Sequence, residues 1–259
     1  MSRTRPIGPR LSMAFVALAT LSASSALAQT DEIQVYDGGL AAPGVVNLTL
    51  HDNYTPRGAR TPGFPGGIAP NHTLNGVPEF AYGVTPWFEA GLYLPLYTLQ
   101  SNGRARLDGF KLRALFAAPD ADRRDLFYGV NFEFSVNSRH WAEKRTGGEI
   151  RPIIGARHGP WTVIANPILD TDYRGVSHMT FAPATRVAYD LSKTWTVAGE
   201  TYSDFGEIRR FSPRAQQSHQ VFAVVDHKAA NLDIEAGVGW GLTQASDKLV
   251  LKLILSKDL

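Results

Sequence analysis

The sequence predicts an all-β protein, an antiparallel up-and-down transmembrane β-barrel of about 12 strands behind an N-terminal signal peptide. Three observations predict it: short segments alternate apolar with polar residues, short and long connections alternate between them, and the chain has no cysteine. The alternation is clearest near the C-terminus, where Leu249, Leu251, Leu253 and Leu255 occupy every second position. Successive side chains of a strand point to opposite faces, so one face of this strand is apolar.

The first 28 residues are typical of a cleaved secretory signal peptide. A start with three arginines is followed by an apolar stretch at residues 11–21 and by Ala-Leu-Ala at residues 26–28. The apolar stretch is too short to cross roughly 30 Å of hydrocarbon as a helix. We therefore expect residues 1–28 to be a signal peptide and residues 29–259 to form one outer-membrane β-barrel domain.

Twelve segments have the two-residue period of strands, and outside the signal no segment has a convincing helical period. A chain of many short strands closes as a sandwich or a barrel. The predicted strands are residues 44–54, 73–84, 87–97, 106–117, 125–136, 148–157, 161–169, 178–189, 194–203, 219–227, 231–242 and 247–256.

The connections between these strands favour the barrel over the sandwich. They alternate between short turns and longer loops, as in outer-membrane barrels with tight periplasmic turns and longer external loops. We interpret the Gly- and Pro-rich residues 54–70 as the first external loop. Both termini would then be periplasmic, which requires an even number of strands.

The location in a membrane decides which face of the wall meets lipid and which face lines the lumen. In hydrocarbon every backbone polar group must be hydrogen-bonded internally, and a closed sheet achieves this. A lysine that faced lipid near the midplane would cost ~2–4 kcal/mol, so Lys248 and Lys252 should face the lumen. A net charge of +2 argues against a dedicated nucleic-acid binder. No apolar run after Gln29 is long enough for a helical span.

Several segments together resemble the outer-membrane transporters grouped as the phenol-degradation (MetA-pathway) family. The similarity covers most of the chain after the signal, and its main segments are EFAYGVTPWFEAGLYLP (79–95), LDGFKLRALF, LFYGVNFEFS, EIRPIIGARHGPWTVIANPILDT (149–171), VFAVVDHK and GWGLTQASDKLVLKLIL. The resemblance implies a bacterial outer-membrane barrel that passes small organic, aromatic or hydrophobic solutes by passive diffusion. It supplies no catalytic residue and no cofactor.

The strand period assigns a set of polar side chains to the lumen. The candidates are Glu79, Glu89, Lys111, Arg113, Asn131, Glu133, Glu149, Arg151, Arg157, Arg186, Glu200, Asp226, Glu235 and Lys252. Acids and bases nearly balance in the lumen so defined. The set could form charge rings that select solutes, or ion pairs that brace a narrow barrel. The hairpin registers favour Glu89 with Arg113 and Glu235 with Lys252 as partners.

Three prolines fall inside three consecutive predicted strands. Pro152, Pro167 and Pro183 should all face lipid, and each removes a hydrogen bond from the ladder. They could mark a weakened part of the wall that opens laterally, or ordinary bulges that shape the barrel. Unbroken strand pairing through these positions would exclude the lateral opening.

Two further groups belong to the ends of the barrel. The predicted external loops are basic, which could attract anionic solutes or bind phosphates of outer-membrane lipids and lipopolysaccharide. Their cationic residues are Arg57, Arg60, Arg104, Arg139, Lys144, Arg145, Arg209, Arg210 and Arg214. Aromatic residues near strand ends are expected to form interfacial girdles, with pore lining as the alternative. They are Tyr36, Trp87, Tyr93, Trp161, Tyr173, Trp195, Tyr202 and Trp240.

Two other function classes stay open beside the channel. A lipid-modifying enzyme would need a nucleophile with an orienting partner, yet the seven histidines are scattered and no G-x-S-x-G elbow or paired-His metal spacing occurs. We therefore expect neither an enzyme nor a metal or cofactor site. A structural or adhesive barrel is the third class. A plugged lumen would favour structure, and a Ser–His–acid cluster at the rim would favour catalysis.

Overall fold

The computed structural model of the chain describes residues 32–259. The predicted signal peptide, residues 1–28, lies outside the described residues. The described chain forms a single antiparallel sheet of sixteen strand segments. They are β1 (Val46–Arg57), β2 (Leu74–Thr85), β3 (Phe88–Tyr93), β4 (Tyr97–Leu99), β5 (Ala105–Leu107), β6 (Phe110–Ala117), β7 (Leu126–Val136), β8 (Thr146–His158), β9 (Trp161–Asn166), β10 (Leu169–Thr171), β11 (Thr180–Phe181), β12 (Ala184–Asp190), β13 (Trp195–Asp204), β14 (Ser218–Lys228), β15 (Asp233–Gly241) and β16 (Leu249–Asp258). Short 3₁₀ turns lie at Ala121–Arg123, Val176–His178 and Arg214–Gln216.

These segments make twelve barrel strands, because four of the strands are interrupted. β2 pairs with both β3 and β4, so these two segments continue one strand across the wall. β5 and β6 continue the next strand in the same way. β8 pairs with both β9 and β10, and the following strand consists of β11 and β12. The predicted number of strands and the order of the strands along the chain are confirmed.

The sheet closes on itself because its first and last strands pair. β1 is bonded on one side to β2 and on the other to β16, in a register that runs from Asn47 opposite Asp258 to Arg57 opposite Leu249. Closure leaves no free edge in the wall, which is the condition for a sheet to cross hydrocarbon. No stretch of residues 32–259 forms a helix with the length and apolarity of a membrane span.

The two faces of the wall alternate as the sequence period predicts. In β16, Val250, Lys252 and Ile254 are 3%, 3% and 5% exposed, whereas Leu251 and Leu253 are each 38% exposed. The leucines therefore cover the outside and the lysine lies inside. Lys248 does not join it, because this residue precedes β16 and lies exposed in a loop.

Short turns and long loops lie at opposite ends of the barrel. The short-turn end has connections at residues 86–87, 118–125, 159–160, 191–194 and 229–232, and the long-loop end has loops at residues 58–73, 100–104, 137–145, 172–179, 205–217 and 242–248. The connection at 118–125 and the loop at 100–104 depart from the length rule, since the first is the longer of the two. The first long loop begins later than predicted, since β1 continues through Pro56 with a register shift between Tyr54 and Arg57. β1 begins and β16 ends at the short-turn end.

Five of the eight aromatic residues predicted for the girdles are exposed, and the other three lie elsewhere. The exposed fractions of these five side chains range from 44 to 54%, and the residues are Trp87, Trp161, Tyr173, Trp195 and Trp240. Tyr36 and Tyr93 are only 5% and 0% exposed and lie in the lumen, so the girdle assignment is wrong for them. It is also wrong for Tyr202, whose hydroxyl donates to the lumen residue Glu200 at 2.7 Å.

A charge on the outer face should destabilise the barrel. Phe132 is 41% exposed in the middle of β7 and lies between the outward residues Ala114 and Ile150. We predict that Phe132→Arg lowers the free energy of unfolding in lipid vesicles by ~2–4 kcal/mol, because the guanidinium meets hydrocarbon. Phe132→Leu is the control and should cost less. Equal costs in urea titrations would show that this face does not meet lipid.

Candidate functional site: the lumen

The lumen of the barrel is occupied by the residues that precede β1, called here the N-terminal segment (residues 32–45). The segment enters at the short-turn end, where Gly44 N donates to Gly83 O at 2.8 Å and Gly83 N donates to Val45 O at 3.0 Å. A Cβ atom on Gly83 would lie 2.3 Å from the carbonyl oxygen of Ala42, so glycine allows the segment to pass this close to β2.

The segment is buried by apolar contacts with the inside of the wall. Ile33, Val35 and Tyr36 are 3–6% exposed. Val35 and Tyr36 belong to a cluster with Leu115, Phe127, Ile153, Ile164 and Ile168. Ile33 packs with Phe222, Val224 and Val250. Part of the inner wall is therefore apolar and is covered by the segment rather than by water.

Tyr36 fixes the position of the segment. The side chain of Asn166 accepts from Tyr36 N at 2.7 Å and donates to Tyr36 O at 3.0 Å. The hydroxyls of Tyr36 and Tyr93 are 2.6 Å apart. The Arg151 guanidinium lies 4.2 Å from the centroid of the Tyr36 ring, within the range of a cation–π contact. Because these polar groups are buried, each lost partner would leave a costly unsatisfied group.

The first of three charge clusters consists of Glu79, Glu89 and Arg113. Arg113 Nη2 lies 2.9 Å from Glu79 Oε1 and also pairs with Glu89. His51 Nε2 lies 3.0 Å from Glu79 Oε2. Glu89 accepts in addition from the N–H of Ala41, so this cluster holds the N-terminal segment as well. The predicted partnership of Glu89 with Arg113 is confirmed.

The second charge cluster consists of Glu32, Lys111, Glu133, Glu149 and Arg151. Arg151 binds Glu149 through two hydrogen bonds of 2.6 and 2.9 Å and lies 3.4 Å from Glu32 of the N-terminal segment. Lys111 Nζ lies 3.5 Å from Glu133. The planar guanidinium suits this bidentate geometry.

The third charge cluster consists of Arg186, Glu200, Asp226, Glu235 and Lys252. Arg186 pairs with all three carboxylates, and its Nη1 lies 3.2 Å from Glu235 Oε2. Lys252 Nζ lies 2.5 Å from Glu200 and 2.6 Å from Glu235. The ammonium also donates to the carbonyl of Ile33 at 3.1 Å. The predicted pair of Glu235 with Lys252 is confirmed, and each cluster contacts the N-terminal segment.

The structure thus places twelve of the fourteen predicted lumen residues in the three clusters. Asn131 lies beside the second cluster and donates to Glu133 at 2.9 Å. Arg157 lies apart, near the short-turn end, 4.0 Å from the centroid of the Phe127 ring and bonded to the carbonyls of Ala121 and Arg124. That the fourteen predicted residues line the path of a solute stays a prediction. The strand period missed Glu32, since it precedes the first strand.

A cavity of about 180 Å³ remains in the lumen towards the long-loop end. It is lined by Lys111, Glu133, Ser135, Gly147, Gly148, Glu149, Asp170 and Thr171. Trp141 folds inward from the loop between β7 and β8 and is 3% exposed against Val77, Tyr93 and Leu96. The loop therefore narrows the lumen at the long-loop end.

The three prolines lie side by side on the outer wall. β8 pairs with β9 up to Ile154 opposite Ala165 and resumes with β10 at Ile150 opposite Leu169, which places Pro152 opposite Pro167. The pairing of β9 and β10 with the next strand places Pro167 opposite Pro183 in the same way. The ladder is interrupted there, although Ala182 N still donates to Ile168 O at 3.0 Å. β7 pairs with β8 without interruption past Pro152.

The long-loop end is basic on its surface. All nine predicted cationic loop residues are exposed. The first and last long loops are joined where Asp247 Oδ1 accepts from the N–H of Ala59 at 2.9 Å. Burial raises the pKa of the Asp247 carboxyl above its usual value, and the hydrogen bond from Ala59 acts in the opposite direction.

Two serine–histidine contacts lie at the long-loop end. In one, Ser138 Oγ is 2.8 Å from His140 Nδ1, and Asp108 Oδ1 accepts from the backbone N–H of Ser138 at 2.6 Å, so the carboxylate is bonded to the main chain of the serine. The other contact lies on the outside of the wall. Ser203 Oγ is 2.9 Å from His219 Nδ1, and His219 Nε2 is 3.1 Å from Gln217 Oε1. An amide stands where a Ser–His–acid arrangement has its carboxylate, and the backbone N–H of Ser203 is already donated to Pro183. Within residues 32–259, no group of three or more His, Cys, Asp or Glu side chains could hold a metal ion.

Solved structures share this fold at low sequence identity. The COG4313 outer membrane channel from Pseudomonas putida F1 is 12% identical with a TM-score of 0.59, over 88% of this chain and 100% of that chain. The KdgM porin in complex with disordered oligogalacturonate is 10% identical with a TM-score of 0.50, over 83% of this chain and 99% of that one. No family model and no curated protein matches the chain.

These similarities show the fold, a closed antiparallel barrel of the outer-membrane type. They do not show membership of the phenol-degradation (MetA-pathway) family, so the resemblance to that family stays a prediction. The lumen of this barrel contains the N-terminal segment and the three charge clusters around it.

Removing the Tyr36 side chain should release the N-terminal segment. Truncation of a buried aromatic side chain costs about 3–5 kcal/mol, and Tyr36→Ala also breaks the hydroxyl contact with Tyr93. We predict faster amide hydrogen exchange throughout residues 32–42, measured by mass spectrometry in lipid nanodiscs, with the strands unchanged. Asp37→Ala, at an exposed neighbouring position, is the control. Unchanged exchange in Tyr36→Ala would contradict the anchoring role.

Proposed function

We propose that this protein is a channel of the bacterial outer membrane, reached by export through the periplasm, that lets small organic solutes diffuse passively through a narrow charged lumen. The observation that carries the proposal is the closed wall with an apolar outside and ionised groups inside. Such a wall is suited to lipid on one side and to water and solute on the other. The similar folds of a channel and a porin support the same conclusion.

The size of the free space favours small, aromatic or hydrophobic solutes. With the N-terminal segment and Trp141 folded into the lumen, a cavity of about 180 Å³ lies beside the second charge cluster. Cavities of roughly 150 Å³ hold one benzene molecule, so a solute built around a single ring is the natural size. The apolar inner wall around Phe127 and Ile153 provides contacts for such a ring if the segment moves.

The proline row offers a route for apolar solutes into the membrane. The lumen towards the short-turn end is occupied by the N-terminal segment, whereas the wall lacks regular pairing around Pro167 and Pro183. Separating two strands costs least where ladder hydrogen bonds are already missing. We propose that these two seams part to let an apolar solute leave sideways.

The exposed cations at the long-loop end are best explained by the lipid around them. Guanidinium groups form bidentate hydrogen bonds with phosphate, and the outer leaflet presents the phosphates of lipopolysaccharide at this height. Arg209 and Arg210 lie beside the exposed Phe211 in one loop, so this loop combines charge with an apolar side chain. We propose outer-membrane lipid and lipopolysaccharide as its partners.

The occupied lumen favours a second candidate, a structural barrel that conducts nothing. Tyr36 and the three charge clusters would then serve only to brace the wall. The two functions differ in one respect: a channel should conduct more when the segment is released. We expect a larger single-channel conductance for Tyr36→Ala than for the wild type.

The proposed function is tested by reconstitution of the purified protein. In planar bilayers we expect discrete conductance steps. In liposomes we expect faster uptake of arbutin, a phenol that carries a glucose group, than of sucrose, with protein-free liposomes as the blank. No conductance and no uptake, in both the wild type and Tyr36→Ala, would support the structural barrel instead.

The lateral route is tested by a reversible disulfide bond between two neighbouring strands. Ala165 and Thr185 are exposed, lie opposite each other on β9 and β12, and the chain has no native cysteine. Oxidation of the Ala165→Cys/Thr185→Cys variant should slow uptake of the dye N-phenyl-1-naphthylamine by cells, and a reductant should restore it. The Val197→Cys/Val225→Cys variant forms the same kind of disulfide bond between the fully paired strands β13 and β14, and it is the control. Equal effects of both disulfide bonds would exclude the proline row as the route.

A further inference from the structure

The charges inside the barrel do not balance. Each of the three charge clusters contains one more acid than base: two acids and one base in the first, and three acids and two bases in the second and third. The most exposed of these side chains, Asp226, is only 24% exposed. The near balance expected from the strand period is therefore wrong, because Glu32 joins the clusters and Arg157 and Lys248 do not.

Three carboxylate oxygens in these clusters, one in each cluster, lack a hydrogen-bond partner among residues 32–259. They are Glu79 Oε1, which still lies 2.9 Å from Arg113 Nη2, Glu32 Oε2 and Asp226 Oδ1. The Glu32 side chain is only 2% exposed. A buried carboxylate oxygen without a donor is costly, and a cation nearby would offset that cost. The excess of acid is thus accompanied by unused acceptor capacity in all three charge clusters.

Negative charge is also in excess around the lumen cavity. Glu133 lies opposite Glu149, and Glu149 lies opposite Asp170, so three carboxylates stand in a row on neighbouring strands. Among the described residues that line the cavity, Lys111 is the one base. Asp170 forms no ion pair with any residue that the structure describes. A solute in this cavity therefore meets more negative than positive charge.

The basic rim does not cancel this field inside the lumen. The rim cations are exposed, and at physiological ionic strength exposed charges are screened beyond about 8 Å. The lumen charges are buried in a low-dielectric wall, where screening is weaker and the field is focused. The sign of the net charge in the lumen thus decides which ions pass.

We infer that the lumen selects positively charged solutes, and that the preferred class is a small organic ammonium ion with one aromatic ring or a similar apolar body. The ammonium group would lie against the carboxylates of Glu133, Glu149 and Asp170. The ring would fill the remaining cavity, whose volume suits about one ring. This inference rests on the proposed channel function and adds the charge of the solute.

Two permanently charged probes of one size class test the inference. Benzyltrimethylammonium and benzenesulfonate each carry one benzene ring, and neither loses its charge on changing pH. We expect liposomes with the wild-type protein to take up the ammonium probe at least about fivefold faster, because one unit charge at about 8 Å changes the concentration of an ion about twofold even in water. Protein-free liposomes are the blank.

Variants identify the charges responsible. Asp170→Asn/Asp226→Asn removes two lumen charges with little change of shape, and we expect the preference to fall at least about twofold. Asp122→Asn removes the same kind of charge from a side chain that is 63% exposed at the short-turn end, and should leave the preference unchanged. Circular dichroism and heat-modifiable gel mobility check that each variant forms the barrel.

The outcomes separate this inference from the proposed function. If arbutin is taken up but the two ions are taken up equally, or the sulfonate faster, or neither at all, the channel stands and the charge preference is wrong. An unchanged preference in the double variant would also overturn the assignment of the preference to the charge of the lumen carboxylates. If arbutin and both ions are all excluded, the proposed function itself fails.

Discussion

The structure depends on one constraint, that a sheet surrounded by hydrocarbon must leave no backbone polar group without a partner. The pairing of β1 with β16 satisfies it by closing the wall. Once the wall is closed, the two-residue period allows only two destinations for a side chain. Apolar residues such as Leu251 meet lipid, and Lys252 on the adjacent position must find its partners within the lumen. The charge clusters follow from closure in this way.

The lumen so formed cannot hold ionised groups in isolation, and the N-terminal segment completes their coordination. Ile33 supplies a carbonyl to Lys252, Ala41 an N–H to Glu89, and Glu32 a carboxylate to Arg151. The same segment covers the apolar part of the inner wall through Val35 and Tyr36. One short stretch of chain thus satisfies polar and apolar surfaces of the wall, which explains why it is so deeply buried.

The strand period was sufficient to predict the barrel, the number of strands and the direction of most polar side chains, because these depend only on local alternation. It could not predict the N-terminal segment, whose position is set by distant partners such as Asn166. The girdle prediction fails for Tyr93, which is fully buried, because nearness to a strand end does not reveal which face a ring occupies. The interruptions at Pro167 and Pro183 were visible in sequence as prolines, but their alignment across strands required the register.

The most direct test of this account is the accessibility of single spin labels along β16 in lipid bilayers. Labels at Leu251 and Leu253 should collide readily with oxygen dissolved in the hydrocarbon and rarely with a water-soluble nickel chelate. Labels at Val250, Lys252 and Ile254 should be sheltered from both reagents, since all three positions are buried. The N-terminal segment packs against Val250, and the third charge cluster contains Lys252. The opposite alternation, or equal oxygen accessibility at every position, would contradict the account.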